Sequence, residues 1–372
     1  NGGHMPIDLI MPVHLITGAE CIGKNAKALA GLGKRCLIVT GHSGAKRSGA
    51  LDAVTQALDA GGIEHAVYSG VAPNPTVESC LAAGRMAAEF GADFVVGIGG
   101  GSALDAAKVA GAAAANPDMD ESGLYSRIWQ NAPKPVVLVG TTSGTGSEVT
   151  QVAVLTDSSG RKHSIHDPRL YAAISFGDAR FTMSAPPRVT ATTGIDALAH
   201  CVESYFSRKA DELSRLFAVE GIRLFLKNAA ETQGFAGELS YARREALYTA
   251  SILGGLAINT TGTVFPHTMG YLLTERFGIP HGFASAAFMP ALLSGAAEHM
   301  PEYTAEFFTR IGCGQEEFMR IYAAVMPALD IRMTREEITA ALPRFKGNGS
   351  FGNTAYDVDE YTAEEMLTRN FL

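Results

Sequence analysis

Short apolar runs alternate with alanine-rich stretches in the first half of the chain. The apolar runs predict strands at residues 36–39, 66–68, 94–98 and 136–139. The stretches between them place apolar side chains at helical spacing and predict helices at residues 51–60, 77–90 and 103–115. Strands that alternate with helices in this way are typical of a parallel sheet. The pattern therefore predicts an N-terminal α/β domain.

The second half of the chain has a different pattern. Residues 161–166 and 172–176 predict a hairpin-like excursion. Beyond it, apolar residues recur at helical spacing and predict helices at residues 194–206, 211–227, 243–258, 262–282, 288–296, 301–311, 315–326 and 363–369. We therefore predict two domains, an α/β domain at residues 5–187 and a helical domain at residues 188–372.

Composition and charge limit the classes of partner. The 372 residues carry a formal net charge of −8, so no positive field is expected to attract nucleic acid or an anionic membrane. The apolar stretches are short and interrupted, which argues against a membrane span. Five scattered cysteines without a C-x-x-C pair predict neither disulfides nor a thiolate metal site, and they favour a cytoplasmic location. Residues 1–4, before Met5, resemble a remnant of cloning.

A glycine cluster follows the predicted strand at residues 94–98. The backbone N–H groups of glycines 99–101 can approach a phosphate closely, and the next helix adds a favourable dipole. A tight strand-to-helix turn is the alternative. The spacing Gly97-x-Gly99-x-x-Ser102 ends in Ser where the dinucleotide fingerprint has Gly or Ala, and no acidic residue closes a second strand about 20 residues later. An ordinary Rossmann loop is therefore not indicated.

A second polar loop follows the predicted strand at residues 136–139. It reads Gly-Thr-Thr-Ser-Gly-Thr-Gly-Ser-Glu from Gly140 to Glu148. If it follows a neighbouring parallel strand, its hydroxyls and amides face the same crevice as the first loop. A solvated turn rich in Ser and Thr is the alternative. The two loops together favour a nucleotide site.

Four residues have the chemistry of a metal site. Asp196 and His200 are four residues apart on one predicted helix, so they project from one face. His267 and His281 lie in later segments that are apolar and marked by glycine. One carboxylate and three imidazoles suit Fe(II) or Zn(II), and suit Ca²⁺ or Mg²⁺ poorly. For each residue taken alone, a structural hydrogen bond is the alternative.

These residues resemble the iron-containing (group III) alcohol dehydrogenase family over essentially the whole chain. The motifs that carry the resemblance are Pro73-Asn74-Pro75, Gly99-Gly100-Gly101-Ser102 with Asp105 and Lys108, Thr141-Thr142 to Glu148, Thr193 to His200, His267, and Pro280-His281-Gly282. The resemblance implies that residues 5–187 form a Rossmann-like, dinucleotide-binding α/β domain with a parallel sheet. It implies that residues 188–372 form an all-α, metal-binding domain, in a dehydroquinate synthase-like architecture. It also implies a homodimer.

The resemblance also implies an activity and a set of site residues. The activity is that of a metal-dependent NAD(P)(H) alcohol dehydrogenase or aldehyde reductase, in which the metal polarises the substrate oxygen while hydride passes between substrate and nicotinamide. The metal, Fe(II) or Zn(II), is bound by Asp196, His200, His267 and His281. The cofactor site is lined by Asn74, Gly99, Gly100, Gly101, Ser102, Asp105, Thr141, Thr142, Thr145, Lys162 and Thr182.

Two departures from the family pattern concern chemistry. Many members have a second histidine four residues after the third metal ligand, where this chain has Tyr271, a candidate catalytic residue whose role is open. NAD-preferring members tend to place Asp after the second strand, where this chain has Gly41 and Ser43, with Lys46 and Arg47 nearby. Without an aspartate there, a 2′-phosphate meets no repulsion, which predicts NADP(H) in preference to NAD(H).

Two other functions are compatible with the same scaffold. One is a lyase or cyclase resembling dehydroquinate synthase, which needs a cluster of basic residues, whereas the metal motifs have only Arg276 nearby. The other is a non-catalytic nucleotide-binding protein, which the complete ligand set disfavours. We therefore predict an oxidoreductase that acts on a small alcohol or aldehyde, with no nucleic acid or membrane partner.

Overall fold

A parallel sheet forms the centre of the N-terminal half. The computed structural model describes residues 7–372, so residues 1–4 lie outside the described residues. The strands are β1 (His14–Thr17), β2 (Arg35–Gly41), β3 (Glu64–Val71), β4 (Phe94–Gly99), β5 (Val136–Gly140), β6 (Val152–Thr156), β7 (Lys162–His166) and β8 (Ile174–Gly177). Six of them form the sheet in the order β1-β8-β5-β4-β2-β3, and every neighbouring pair is parallel. Their carboxyl ends therefore share one edge.

Both faces of this sheet are buried. Along β2, Leu37 and Val39 belong to one hydrophobic cluster, whereas Cys36 and Ile38 belong to another on the opposite face. Every residue of β4 is buried. Burial on both faces explains why the central strands are continuous apolar runs, and why those runs could be identified in the sequence.

Helices cover the sheet. They are α1 (Cys21–Lys24), α2 (Ala26–Ala30), α3 (Gly44–Arg47), α4 (Ala50–Ala60), α5 (Val77–Phe90), α6 (Gly101–Ala115) and α7 (Glu121–Ser126). Thr76 caps α5 by accepting a hydrogen bond from the Ser79 N–H. Helices α5 and α6 approach closely because Gly84 has no side chain; a Cβ there would lie 2.3 Å from the Cβ of Ala113.

The predicted hairpin between residues 161–166 and 172–176 is wrong. β7 pairs antiparallel with β6, a strand that the sequence analysis did not identify. β8 enters the sheet between β1 and β5, and all four of its residues are buried. β1 was also missed, because it is a four-residue edge strand without a fully buried side chain. Which strand pairs with which depends on tertiary contacts and not on the local sequence pattern.

The C-terminal half is helical. Its helices are α8 (Pro187–Tyr205), α9 (Glu212–Glu231), α10 (Tyr241–Thr261), α11 (Phe265–Phe277), α12 (His281–Ala286), α13 (Met289–His299), α14 (Pro301–Ile311), α15 (Gln315–Val325), α16 (Arg335–Ala341), α17 (Gly349–Gly352) and α18 (Glu360–Phe371). One compact unit contains Ile10–Pro186 and Ser240–Tyr248, and the other contains Pro187–Leu239 and Thr249–Leu372. The predicted fold class, a parallel α/β domain with an all-α domain, is confirmed.

Two further expectations concern the described residues as a whole. None of the helices described between residues 7 and 372 combines the length and hydropathy that a membrane crossing requires. All five cysteines are free thiols, and four of them are buried.

Candidate active site

Three of the four predicted metal ligands form one buried group. Asp196 and His200 lie one turn apart on α8, and His267 lies in the first turn of α11. One ligand atom of each lies within 4.8 Å of those of the other two. The rings of His200 and His267 stack with their centroids 4.7 Å apart. Two helices thus bring two imidazoles and a carboxylate to one point.

Two facing atoms of this group make no hydrogen bond. Asp196 Oδ1 and His267 Nε2 are buried and lie 3.6 Å apart, beyond hydrogen-bonding distance. Two ligands that each bind one ion at about 2.0–2.2 Å are separated by a distance of this size. Carboxylate and imidazole ligands suit Zn(II) or Fe(II) better than Ca²⁺ or Mg²⁺. The residues present therefore fit a borderline divalent ion.

The fourth predicted ligand, His281, lies at the rim of the group. It begins α12, and its Nε2 lies 3.7 Å from Asp196 Oδ1. Its side chain is 26% exposed, whereas that of Asp196 is 3% exposed. The hydroxyl of Ser285, one turn along α12, lies 3.3 Å from His281 Nδ1. His281 therefore approaches the same carboxylate oxygen from the more open side.

The electrostatics of the group favour a positive charge. Burial alone would raise the pKa of Asp196, but the imidazoles of His200, His281 and His267 outweigh it and hold that pKa well below its usual range. Burial alone would lower the pKa of His267, but the carboxylates of Glu203 and Asp196 raise it to about 10. The site thus stabilises a cation, whether a protonated imidazole or a bound metal.

Glu203 is a residue of this site that the sequence reasoning missed. It lies on α8 one turn beyond His200, is 1% exposed, and accepts hydrogen bonds from His267 Nδ1 at 2.6 Å and from the Val264 N–H at 2.9 Å. A signal was available, because Asp196, His200 and Glu203 are spaced by four and three residues and so share one helix face.

Close packing at a glycine brings α12 to α8. A Cβ added to Gly282 would lie 1.8 Å from the backbone oxygen of Thr192 and 2.9 Å from the Cβ of Asp196. No side chain can occupy that space. Because Gly282 directly follows His281, this contact sets the distance between His281 and Asp196.

The two glycine-bearing loops lie side by side at the carboxyl edge of the sheet. A Cβ on Gly100 would lie 3.2 Å from Thr142 Oγ1, and one on Gly101 would lie 2.5 Å from Thr145 Cγ2. Gly99 has a φ of +153°, which residues with side chains rarely adopt. The predicted adjacency of the two loops is confirmed.

Three predicted cofactor residues that are distant in sequence come together beside these loops. Asn74 adopts a left-handed conformation with φ of +54°. Its Oδ1 accepts a hydrogen bond from Lys162 Nζ at 3.0 Å, and its N–H donates to Ser102 Oγ at 3.3 Å. The Thr156 hydroxyl donates to the Asn74 carbonyl at 3.1 Å. Lys162 looks like a surface charge in the sequence, yet it is only 8% exposed.

Asp105 and Lys108 are engaged by the protein itself. The two oxygens of Asp105 accept hydrogen bonds from Ser147 Oγ at 2.6 Å and from the Val154 N–H at 2.9 Å. Lys108 is completely buried and donates to Ser147 Oγ at 2.7 Å and to the Val152 carbonyl at 2.8 Å. Burial lowers the pKa of Lys108 to about 8, although Asp105 opposes the shift. This buried network holds the second loop against α6.

The remaining predicted residues occupy separate positions. Gly41 is the last residue of β2, and Ser43 follows it on the surface. The Thr141 N–H donates to the Gly99 carbonyl at 2.8 Å, while the buried Thr182 hydroxyl donates to the Ala179 carbonyl at 2.8 Å. In the helical unit, the rings of Tyr271 and His281 have centroids 5.7 Å apart.

Glu148, at the end of the Thr-rich loop, forms a buried pair with Tyr248 that the sequence analysis did not predict. The Tyr248 hydroxyl donates to Glu148 Oε1 at 2.8 Å, and the Ser175 hydroxyl donates to the Glu148 carbonyl at 2.7 Å. Burial raises the pKa of Glu148. A Cβ on Gly140 would lie 2.0 Å from Glu148 Oε1, so the carboxyl group occupies the space beside that glycine.

Comparisons with known proteins agree with this architecture. The sequence model of iron-containing alcohol dehydrogenases matches residues 12–179, and that of the C-terminal part of the same family matches residues 190–340. The chain is 34% identical to long-chain-alcohol dehydrogenase 1 of Geobacillus thermodenitrificans, over 92% of this chain and 85% of that protein.

Solved structures extend the likeness to the fold. The crystal structure of an iron-containing alcohol dehydrogenase superposes with a TM-score of 0.90 at 30% identity, covering 98% of both chains. The sulfoacetaldehyde reductase of Bifidobacterium kashiwanohense, solved in complex with NAD⁺, superposes with a TM-score of 0.84 at 25% identity, covering 98% of this chain and 99% of that one. The chain therefore belongs to the iron-containing alcohol dehydrogenase family, and it is an oxidoreductase of the alcohol dehydrogenase and aldehyde reductase class.

Proposed function

We propose that this family member is an NADP(H)-preferring aldehyde reductase whose divalent metal, Fe(II) or alternatively Zn(II), is bound by Asp196, His200, His267 and His281. The observation that carries the metal site is the pair of buried, facing atoms Asp196 Oδ1 and His267 Nε2, 3.6 Å apart without hydrogen-bond partners. A buried polar atom without a partner is costly, and a shared cation removes that cost for both atoms.

The residues of the two units suit different roles, metal binding in the helical unit and cofactor binding in the α/β unit. When bound, the divalent ion supplies a Lewis acid for the substrate oxygen, and the nicotinamide ring supplies or accepts the hydride. In the helical unit, Asp196 provides the negative charge that the imidazoles lack, and Tyr271 is the candidate hydrogen-bond donor beside His281. In the α/β unit, glycines 99–101 leave the backbone N–H groups accessible to a pyrophosphate.

The preference for NADP(H) rests on the end of β2. Gly41 carries no carboxylate, and Ser43, Lys46 and Arg47 that follow it are all exposed. Within residues 7–372, no ion pair of Lys46 or Arg47 is found. Both cations are therefore available to a 2′-phosphate, whereas an aspartate at the strand end would repel it.

Metal removal tests the reaction. The protein is stripped with a chelator, reloaded anaerobically with Fe(II) or Zn(II), and mixed with short aldehydes and either NADPH or NADH, while absorbance at the nicotinamide band is followed. We expect oxidation of NADPH that returns with the metal and is absent from the stripped protein. Turnover that is unchanged after complete stripping, or absent with every metal and aldehyde, would overturn the proposal.

A charge at Gly41 tests the cofactor choice. Gly41→Asp should lower the NADPH to NADH ratio of kcat/KM by about tenfold or more, because a carboxylate close to the 2′-phosphate repels it. Gly41→Ala is the matched control, since a Cβ of either variant meets the Val71 carbonyl at 3.2 Å. An equal ratio in both variants would refute the explanation of the preference by the missing carboxylate at Gly41, and a wild-type ratio that favours NADH would refute the preference itself.

Two finer predictions concern assembly and location. We propose a homodimer, on the strength of the family resemblance, and light scattering of the purified protein measures its mass directly. We also propose that the enzyme works in the cytoplasm, which suits five free thiols. A monomeric mass at micromolar concentration would refute the dimer.

A further inference from the structure

We call Asp196, His200, His267 and His281 the metal group. Glu203 is a second carboxylate beside this group, but it contacts the side of the His267 ring away from Asp196 Oδ1. Its Oε1 lies 2.6 Å from His267 Nδ1, on the opposite side of the imidazole ring from Nε2. Its Oε2 accepts the hydrogen bond of the Val264 N–H at 2.9 Å. Both oxygens are therefore engaged, and the ring of His267 lies between Glu203 and Asp196.

These two hydrogen bonds fix both the backbone and the ring of His267. Val264 is the residue that precedes α11, and its own side chain makes no capping hydrogen bond. By accepting from its N–H, Glu203 anchors the start of α11 to α8. By accepting from Nδ1, it sets the rotation of the ring, so that Nε2 is directed at Asp196 Oδ1, 3.6 Å away.

The chemistry of a carboxylate also fixes the tautomer. Because an ionised carboxylate only accepts hydrogen bonds, Nδ1 keeps its proton beside Glu203, and Nε2 is the nitrogen on which a metal would replace a proton. The negative charge of Glu203 also makes the imidazole a stronger electron donor. Orientation, tautomer and basicity of one ligand thus all depend on one buried side chain.

We propose that Glu203 is a positioning residue of the metal site, which raises metal affinity by holding His267 without binding the ion itself. This inference rests on the proposed metal site. A purely structural Glu203 would contribute to fold stability alone, and its loss would leave the affinity of the folded protein for metal unchanged.

The test is Glu203→Gln, measured by Co(II) binding in competition with a chromophoric chelator. The amide oxygen of glutamine can accept a hydrogen bond from either Val264 N–H or His267 Nδ1. Its NH₂ group then faces the other donor, and no hydrogen bond forms there. We expect Co(II) affinity to fall about 10- to 100-fold, the usual consequence of removing such a partner. The visible absorption of bound Co(II) should also shift, because it reports the ligand geometry.

Glu275→Gln is the matched control. Glu275 lies on the same helix as His267 and accepts two hydrogen bonds from Arg344, at 2.8 and 3.1 Å. Its replacement should lower the unfolding temperature while leaving Co(II) affinity and the Co(II) spectrum as in the wild type. Equal losses of Co(II) affinity in both variants would mean that affinity falls whenever the fold is destabilised, and would overturn the positioning role.

The outcomes separate this inference from the proposed metal site. If the wild type binds no Co(II), the metal site is wrong and Glu203 has no ligand to position. If the wild type binds and Glu203→Gln binds equally tightly, only the positioning role is wrong. If Glu203→Gln does not fold, Glu203→Asp keeps the charge on a side chain one methylene shorter, and wild-type affinity there would contradict the proposal.

Discussion

Buried polar side chains are paired differently in two regions of the molecule, the candidate cofactor region of the α/β unit and the metal group of the helical unit. In the first, Asp105, Lys108 and Ser147 bond to one another and to the backbone. In the second, Asp196 Oδ1 and His267 Nε2 face each other without a hydrogen bond. The buried polar groups of the first region are paired within the protein, whereas the two facing atoms of the second have no hydrogen-bond partner.

Under the proposed function, this difference indicates how each region would recognise its ligand. The α/β unit offers backbone at Gly99, Gly100 and Gly101, and its buried polar side chains hold the loops in place. The helical unit offers the side chains themselves, aligned by Glu203. Damage to one region should therefore leave ligand binding by the other intact, and Gly282→Ala and Lys108→Met test that independence.

The largest effect is expected from Gly282→Ala. Its Cβ would lie 1.8 Å from the Thr192 carbonyl, a backbone atom that no rotamer change can move, so α12 must shift away from α8. We expect the free energy of unfolding to fall by about 4 kcal/mol or more, and Co(II) binding to be lost. Urea unfolding and Co(II) titration measure the two effects.

Gly314→Ala is the control for this change, since a Cβ there meets nothing within 4 Å. Its stability should change by less than about 1 kcal/mol. NADPH binding by folded Gly282→Ala protein should resemble that of the wild type. A variant that binds Co(II) normally would show that α12 does not depend on this contact.

A smaller effect is expected from Lys108→Met in the α/β unit. The change removes a buried ammonium and its bonds to Ser147 Oγ and the Val152 carbonyl, and it leaves Asp105 without its nearest cation, 3.8 Å away. We expect a loss of about 3 kcal/mol in the free energy of unfolding. Co(II) affinity should be unchanged, because the metal group lies in the other unit.

Lys27→Met serves as the control for Lys108→Met, because Lys27 is exposed and its loss should change stability by less than about 0.5 kcal/mol. Urea unfolding of the two variants gives the comparison. If Lys108→Met proved as stable as the control, the network would not hold the second loop.

The smallest effect is expected from Gly101→Ala. Its Cβ would lie 2.5 Å from Thr145 Cγ2, so the two glycine-bearing loops must separate slightly. We expect NADPH affinity to weaken by about tenfold, equivalent to about 1.4 kcal/mol. Fluorescence of bound NADPH measures the change, and Gly23→Ala, which meets nothing within 4 Å, is the control.

A second substitution sharpens this test. Thr145→Ser removes the methyl group that clashes and should restore part of the affinity lost in Gly101→Ala. The non-additive part of the two effects on NADPH affinity measures the interaction between positions 101 and 145. Additive effects would show that the loops do not press on each other at this point.

Much of the fold and part of the site could be predicted from local pattern. Buried parallel strands such as β4 are continuous apolar runs, and the helix of residues 77–90 has the predicted bounds. β1 was missed because it is a short edge strand without a fully buried side chain. β6 was missed although residues 152–155 form a short apolar run with Ala153 and Leu155 buried. Glu203 had a helical spacing signal, but a glutamate in sequence is more often a solvated charge than a buried one.

Motifs and local spacing were enough to identify the family, the alternation of strands and helices that gives the sheet, and the helix face shared by Asp196 and His200. Three features became visible in the folded chain alone: His267 lies beside these two residues, Glu203 contacts its ring, and Lys108 is buried. The physical reason is that spacing along a helix fixes side chains relative to that helix alone. The distance between helices depends on close contacts such as that of Gly282 with Thr192, which leave no periodic trace in the sequence.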